Sequence, residues 1–210
     1  MSKTIKYIIG VAVAFLIIFL SLDIQNLEKY KAARTAEFNA SDYAQKFWND
    51  SLPHCIANAA ELSFVMQLLN DNPDSAFENY GHKLGISKTY YFLVKGKGII
   101  EAVNDESLEI LLVNQKKIEI ATDFIFGNAV RDGSGKVNIN DFLNMTDFND
   151  VSVAINKLVK EKVVSRLRNS AAAGKNLEFA GALEIRKDEI NLSTLFLIPV
   201  SVKLSDGQTE

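Results

Sequence analysis

The sequence predicts an α+β protein. An N-terminal membrane helix leads into a helical segment, followed by a partly open β-barrel with one long helix between its strands. Three observations carry this expectation. An uncharged apolar run spans Tyr7 to Leu22. From there to about Gly85 apolar residues recur at helical spacing. From Tyr90 onward β-branched and aromatic runs alternate with charge, broken by a single long helical pattern.

Lys3 and Lys6 precede the apolar run and Asp23 ends it. The run is slightly shorter than the ~20 residues of an ideal span, so Lys6 must snorkel and Ile5 and Ile24 must add apolar edges. Leu-Ser-Leu-Asp-Ile-Gln follows Phe19 and lacks the small-x-small pattern of a signal-peptide cleavage site. A lipoprotein signal needs a cysteine just after the run, where Asp23 stands. An uncleaved signal anchor needs neither feature. Residues 1–6 are therefore expected in the cytoplasm, 7–22 across the inner membrane, and the rest in the periplasm. Lys29, Lys31 and Arg34 on the far side weaken that charge asymmetry.

The helical segment covers 23–86. Ala40, Tyr43, Ala44, Phe47 and Trp48 form one apolar stripe, with Ser41 as its expected cap. Pro53 breaks that helix and starts the next, in which Leu62, Val65 and Leu69 share a face. Asn72-Pro73 reads as the cap and first turn of a third.

The barrel is expected over 87–210. Tyr90 to Val94 is a strand interrupted by Lys95-Gly-Lys-Gly98 and resumed at Ile99, which signals a bulge or bend. Leu108–Val113 and the segment around Ile118 and Ile120 are two further strands joined by a turn. Phe124–Val130 and Val137–Ile139 read as an extra hairpin about Arg131-Asp-Gly-Ser-Gly135. Val151, Ile155, Leu158, Val159, Val163 and Leu167 form the apolar face of a long helix at about 148–172, capped by Asp147 or Asn149. Leu177–Ile185 and Leu195–Leu204 are the last strands, and Pro199 marks an edge or bulge. A helix between third and fourth strands and a glycine-bent first strand fit the five-stranded OB barrel. Another partly open barrel or α+β sheet is the alternative.

Composition narrows the function classes. With 23 basic and 26 acidic residues the net charge is -3, which provides no global field for nucleic acid. Cys55 is the single cysteine, so no disulfide forms within the chain, and its expected state is buried and inert. The segment from Val130 to Asp141 imitates a calcium loop, but Val130 and Asp141 stand where an acidic or amide oxygen and a bidentate Glu are required. Lys95-Gly-Lys-Gly98 lacks the spacing of a phosphate loop. The expected protein has no catalytic group, metal or cofactor.

Several stretches in order resemble one bacterial family: Tyr30-Lys-Ala32 with Phe38-Asn-Ala-Ser-Asp-Tyr-Ala44 and Phe47-Trp48, Leu52-Pro53, Tyr91-Phe-Leu-Val-Lys-Gly-Lys-Gly98, Gly127-Asn-Ala-Val-Arg-Asp132 and Asp141-Phe-Leu-Asn144. The family is the predicted periplasmic lipoproteins, domain of unknown function 2291. The resemblance implies a periplasmic domain of unestablished role, with at most an accessory part in carbohydrate uptake. Its expected partners are the membrane and envelope or sugar-transport proteins. The shared polar pattern singles out Arg131, Asp132, Asp141 and Asn144 as a candidate functional surface. Two readings of them stand open: a site, with Asp132 and Asp141 as a carboxylate pair acting on carbohydrate, or an ion pair of Arg131 with an aspartate that fixes the turn.

Overall fold

A computed structural model describes Ile5 and residues 38–206. The run Tyr7–Leu22 lies outside the described residues, as do the basic residues that follow it. Among the described residues no helix is long and apolar enough to cross a membrane. Residues from Asn39 onward form one compact unit.

The chain order in that unit begins with α1 (Ala40–Lys46), a π-helical turn (Phe47–Ser51) and α2 (Leu52–Ala57). Asn39 caps α1, its Oδ1 accepting from Ser41 N at 2.9 Å and Asp42 N at 3.2 Å. The cap thus sits two residues before Ser41, because an amide oxygen reaches the free N–H groups of the first turn from there. The π turn carries the chain into α2 without a break, and Pro53 lies in the first turn of α2, where its missing N–H costs nothing. β1 (Ala60–Glu61), α3 (Leu62–Asp71), α4 (Pro73–Tyr80) and β2 (Gly81–His82) follow. Asn72 caps α4 through Ser75 N, as its sequence predicts.

The barrel consists of β3 (Thr89–Val103), β4 (Ser107–Leu112), β5 (Lys117–Ala121), β6 (Asn176–Arg186) and β7 (Leu195–Ser205). Pairing runs β3-β4-β5-β7-β6 and returns to β3. All contacts are antiparallel except β5 with β7, which are joined in parallel by Ile118–Leu195, Glu119–Phe196 and Ile120–Leu197. That short parallel seam is the thinnest part of the wall. The order, with a helix between third and fourth barrel strands, is that of an OB barrel.

β3 does the work of two strands. Its whole length from Thr89 to Ile99 pairs with β6, and from Gly98 onward its other edge pairs with β4. The first half of that other edge takes β1 in parallel and β2 antiparallel. The helical segment is therefore joined to the barrel by backbone hydrogen bonds. It also shares the core: Leu62, Val65, Met66, Leu69 and Phe77 belong to one buried cluster with Phe92, Ile100, Ile110, Ile120, Phe179 and Leu197. Burying one such side chain contributes about 1.5–3 kcal/mol.

The bend in β3 requires its glycines. A Cβ on Gly98 would stand 2.5 Å from the Leu111 carbonyl oxygen and 2.6 Å from Ile110 Cγ2, and one on Gly96 would stand 2.9 Å from the Phe179 ring. In β7 the register slips by one residue between Ala180 and Gly181 of the facing strand, so Val200 is extra beside Pro199. This is the bulge expected there, and it leaves Pro199 no ladder bond to donate.

Two expectations need correction. The segment around Arg131 is not a hairpin: Ala129–Gly133 is a short helix, α5, and Ile139–Asp141 a 3-10 turn. Ala129 and Val130 are buried because α5 packs against β3 and β6, whereas Phe124 and Phe126 are exposed, so the apolar run marks a helix on the sheet and its approach loop rather than strand pairing. The helix expected at 148–172 runs as α6 (Met145–Val159), a π turn (Lys160–Val164) and α7 (Ser165–Ser170). It starts early because Asn144, not Asp147 or Asn149, caps it, its Oδ1 accepting from Asp147 N at 2.8 Å.

Gly98→Ala is expected to lower unfolding free energy in urea by about 1–3 kcal/mol, the cost of forcing a methyl group into a filled site. An unchanged denaturation midpoint would show that the β3–β4 crossing can move apart.

Candidate functional site

The four residues singled out by sequence share one region, but they are placed differently. Arg131 is 1% exposed. Its Nε donates to Asp132 Oδ1 at 2.7 Å and its Nη2 to Asp132 Oδ2 at 3.1 Å. Its Nη1 donates to the Phe148 carbonyl at 2.9 Å and to Asn149 Oδ1 at 3.4 Å. The guanidinium carbon lies 3.5 Å from the centre of the Phe148 ring. Phe148 packs on Phe142, and Phe142 on Tyr43. One buried cation thus ties α5 to the first turn of α6, and the rings carry the connection to α1. A planar guanidinium suits this task, since it stacks and forks at once.

Asp132 spends both oxygens on Arg131. Asn144 spends its side chain on the α6 cap, with Nδ2 donating to Asp147 Oδ2 at 3.0 Å. Asp141 is exposed, and its charge together with burial raises the Tyr43 phenol above its ordinary pKa, burial being the larger cause. Arg131 and Asp132 form the ion pair that one reading anticipated, although it holds helices rather than a turn.

Cys55 is buried, with Sγ 3.7 Å from the Ser134 carbonyl oxygen. Burial pushes its thiol pKa up, against a smaller opposing pull from Lys136. The neighbouring turn is close-packed: Gly135, at φ 62°, abuts the His82 ring.

A large cleft lies elsewhere, with a volume of about 780 Å³. One wall is α3, which presents Ser63, Phe64, Gln67 and Asn70. The other is the β4–β5 hairpin, with Asn114 to Lys117, and Leu192 and Ser193 of the β6–β7 loop complete it. OB barrels use the loop between their last two strands for binding; here that loop faces an added helix. Gln67 and Asn70 are three residues apart and so share a helix face. Phe64 is 47% exposed and is held edge-on by Tyr80 at 5.7 Å.

The hairpin carries a backbone anomaly. Gln115 N donates to Leu112 O and Leu112 N to Lys116 O, which closes a three-residue turn whose last residue is left-handed. That residue is Gln115, at φ 62°, the only described non-glycine residue with positive φ. Glycine is the ordinary occupant, and a side chain costs about 1–2 kcal/mol. Lys117, beside it, is clamped between Glu101 and Glu109, each at 2.6 Å. These contacts raise the lysine pKa and lower that of Glu109. Its positive charge is therefore outweighed by the two carboxylates that hold it.

Another cavity, of about 390 Å³, is lined in part by Glu189, Asn191 and Thr194 of the β6–β7 loop. Phe124, Phe126 and Phe196 stand exposed at it.

None of the cleft residues was singled out by sequence reasoning. Asn114-Gln115-Lys116 read as a turn, and amides there have capping and turn explanations. The positive φ of Gln115 is invisible in a sequence, as is the meeting of α3 with a hairpin some fifty residues on. Turn composition with a non-glycine residue where glycine belongs was the available signal.

A five-stranded OB barrel with a helical cap and a polar cleft at their junction defines the class. A crystal structure of an OB-fold protein from Thermotoga maritima matches with a TM-score of 0.71, at 24% identity, covering 80% of this chain and 99% of that chain. That likeness speaks for the fold alone. The chain belongs to the family described as predicted periplasmic lipoprotein, domain of unknown function 2291, whose model matches residues 12–203. A periplasmic location follows from membership. No curated protein matches the sequence. The lipoprotein description meets a difficulty here, because the single cysteine is Cys55, inside the folded unit, and Asp23 stands where a lipid acceptor belongs.

Two outcomes are expected. Arg131→Ala lowers unfolding free energy by about 3–5 kcal/mol, since it strands a buried carboxylate, whereas Arg131→Met together with Asp132→Leu recovers most of the loss. Urea denaturation measures both. Cys55 in the native protein reacts with a thiol reagent only as fast as the protein opens, so its labelling rate follows stability across variants; immediate stoichiometric labelling contradicts its burial.

Proposed function

We propose that this protein is a non-enzymatic binding or accessory module, held at the periplasmic face of the inner membrane by an uncleaved Tyr7–Leu22 anchor. The observation that carries the reading is the cleft between α3, the β4–β5 hairpin and the β6–β7 loop. Its amides, hydroxyls and one open phenyl ring are groups that recognise a ligand by hydrogen bonding and apolar contact. A connection to carbohydrate uptake is supported by the family resemblance alone. Anchoring by the protein chain is supported by the uncharged run and by Asp23 at the acceptor position.

The rival reading is a carbohydrate-acting enzyme or carrier using Asp132 and Asp141. It is disfavoured because Asp132 gives both oxygens to Arg131.

Full-length protein carrying an N-terminal and a C-terminal tag should fractionate with the inner membrane with both tags on one chain. Protease added to spheroplasts should remove only the C-terminal tag. Affinity capture of that chain after cross-linking should recover envelope proteins above background. Loss of the N-terminal tag would refute the uncleaved anchor, and capture of nothing across growth conditions would refute the accessory role.

A further inference from the structure

Gln115 occupies a position that glycine fills without strain, and its side chain is not needed by the fold. Among the described residues its side-chain amide makes no hydrogen bond and stands exposed, the backbone N–H alone being used by the turn. Yet it lines the large cleft and also the adjoining cavity of about 490 Å³ beyond the hairpin. Strained backbone that the surrounding structure does not use points to a ligand that does. The rest of the cleft indicates what kind. Gln67 and Asn70 give only their NH₂ groups, both to Asp71, which leaves their carbonyl oxygens open. Asn114 Oδ1 accepts from Lys116 N, which leaves its NH₂ open. The cleft thus offers separate donors and acceptors. Of the two lysines in the lining, Lys117 is bound to two carboxylates, Glu101 and Glu109, and so is not free to hold an anion. Phe64 adds an apolar face, fixed by Tyr80.

We propose that this cleft binds an uncharged, hydroxyl-rich ligand of the saccharide class, and that Gln115 is its central hydrogen-bonding residue. A sugar hydroxyl donates and accepts at once, which matches paired amides, and the C–H face of a sugar ring packs on a phenyl ring. The inference rests on the binding-module reading above and adds the site and the ligand class.

The test uses the full chain in lauryldimethylamine oxide micelles, with D-glucose, D-xylose and maltose as probes and glucose 6-phosphate as charged comparison. Saturation-transfer NMR should show transfer to at least one neutral sugar. Gln115→Gly should weaken that binding about tenfold, the worth of one net hydrogen bond, while its melting temperature stays level or rises by about 2–4 °C. Phe64→Ala should also weaken it. Transfer to none of the neutral sugars, preference for glucose 6-phosphate, or unchanged binding in Gln115→Gly overturns the proposal. A fall in melting temperature for Gln115→Gly also overturns it, since the side chain would then serve the fold. If sugars fail while affinity capture still recovers envelope proteins, the ligand class is wrong and the module reading stands; if both fail, both are wrong.

Discussion

Everything in this fold depends on β3 passing close enough to its neighbours to serve both of its edges. The strand is long, and it pairs with β6 on one side while changing partners on the other. The change falls at Gly96 and Gly98, where side chains would collide with Phe179 and with the β4 backbone. Without that approach β4 could not take over where β1 and β2 leave off. The barrel would lose its closure, and the helical segment its attachment.

From this attachment follows the placement of the cleft. β1 and β2 are only two residues each, but they fix α3 and α4 against the barrel end, so that Leu62, Val65 and Leu69 point into the common core. The opposite face of α3 must then look across at the β4–β5 hairpin. Arg131 does the same for the other half of the helical material. A charge that deep tolerates few arrangements, because each N–H must find an acceptor. It therefore locks α5 and α6 in one relation rather than adding much net stability.

The fold was legible in the sequence to the extent that it rests on periodicity. The glycine-bent strand, the alternation in Leu177–Ile185 and the apolar face of the long helix all survive in the structure. The failures have a common physical origin. Phe124 to Ile139 resembles strand in composition, but Phe124 and Phe126 are exposed and only Ile125, Ala129 and Val130 of its apolar residues are buried, and a short helix flanked by loops presents much the same pattern over so few residues. Asn72 caps its helix as the sequence indicates, whereas Ser41 and Asp147 or Asn149 lie two to five residues past the true caps, because Asn, Asp and Ser crowd each helix start and only geometry chooses among them. The polar residues most visible in sequence, Arg131, Asp132 and Asn144, prove to be occupied by one another's elements. The cleft residues look like ordinary turn and surface residues until distant segments meet.

The parallel seam between β5 and β7 has a consequence for how the protein is made. Lys88 and Asp188, which pair beside the β3–β6 ladder, are 100 residues apart, and β7 follows later still. The ring cannot close until nearly the whole chain has emerged, and contacts of such separation form slowly. In the interval β3 has a long unpaired edge, the kind of surface on which chains misassemble. β1 and β2, though short, precede β3 in the chain and cover the first half of its other edge. The helical segment thereby shortens the length of β3 left bare until β4 and β6 arrive.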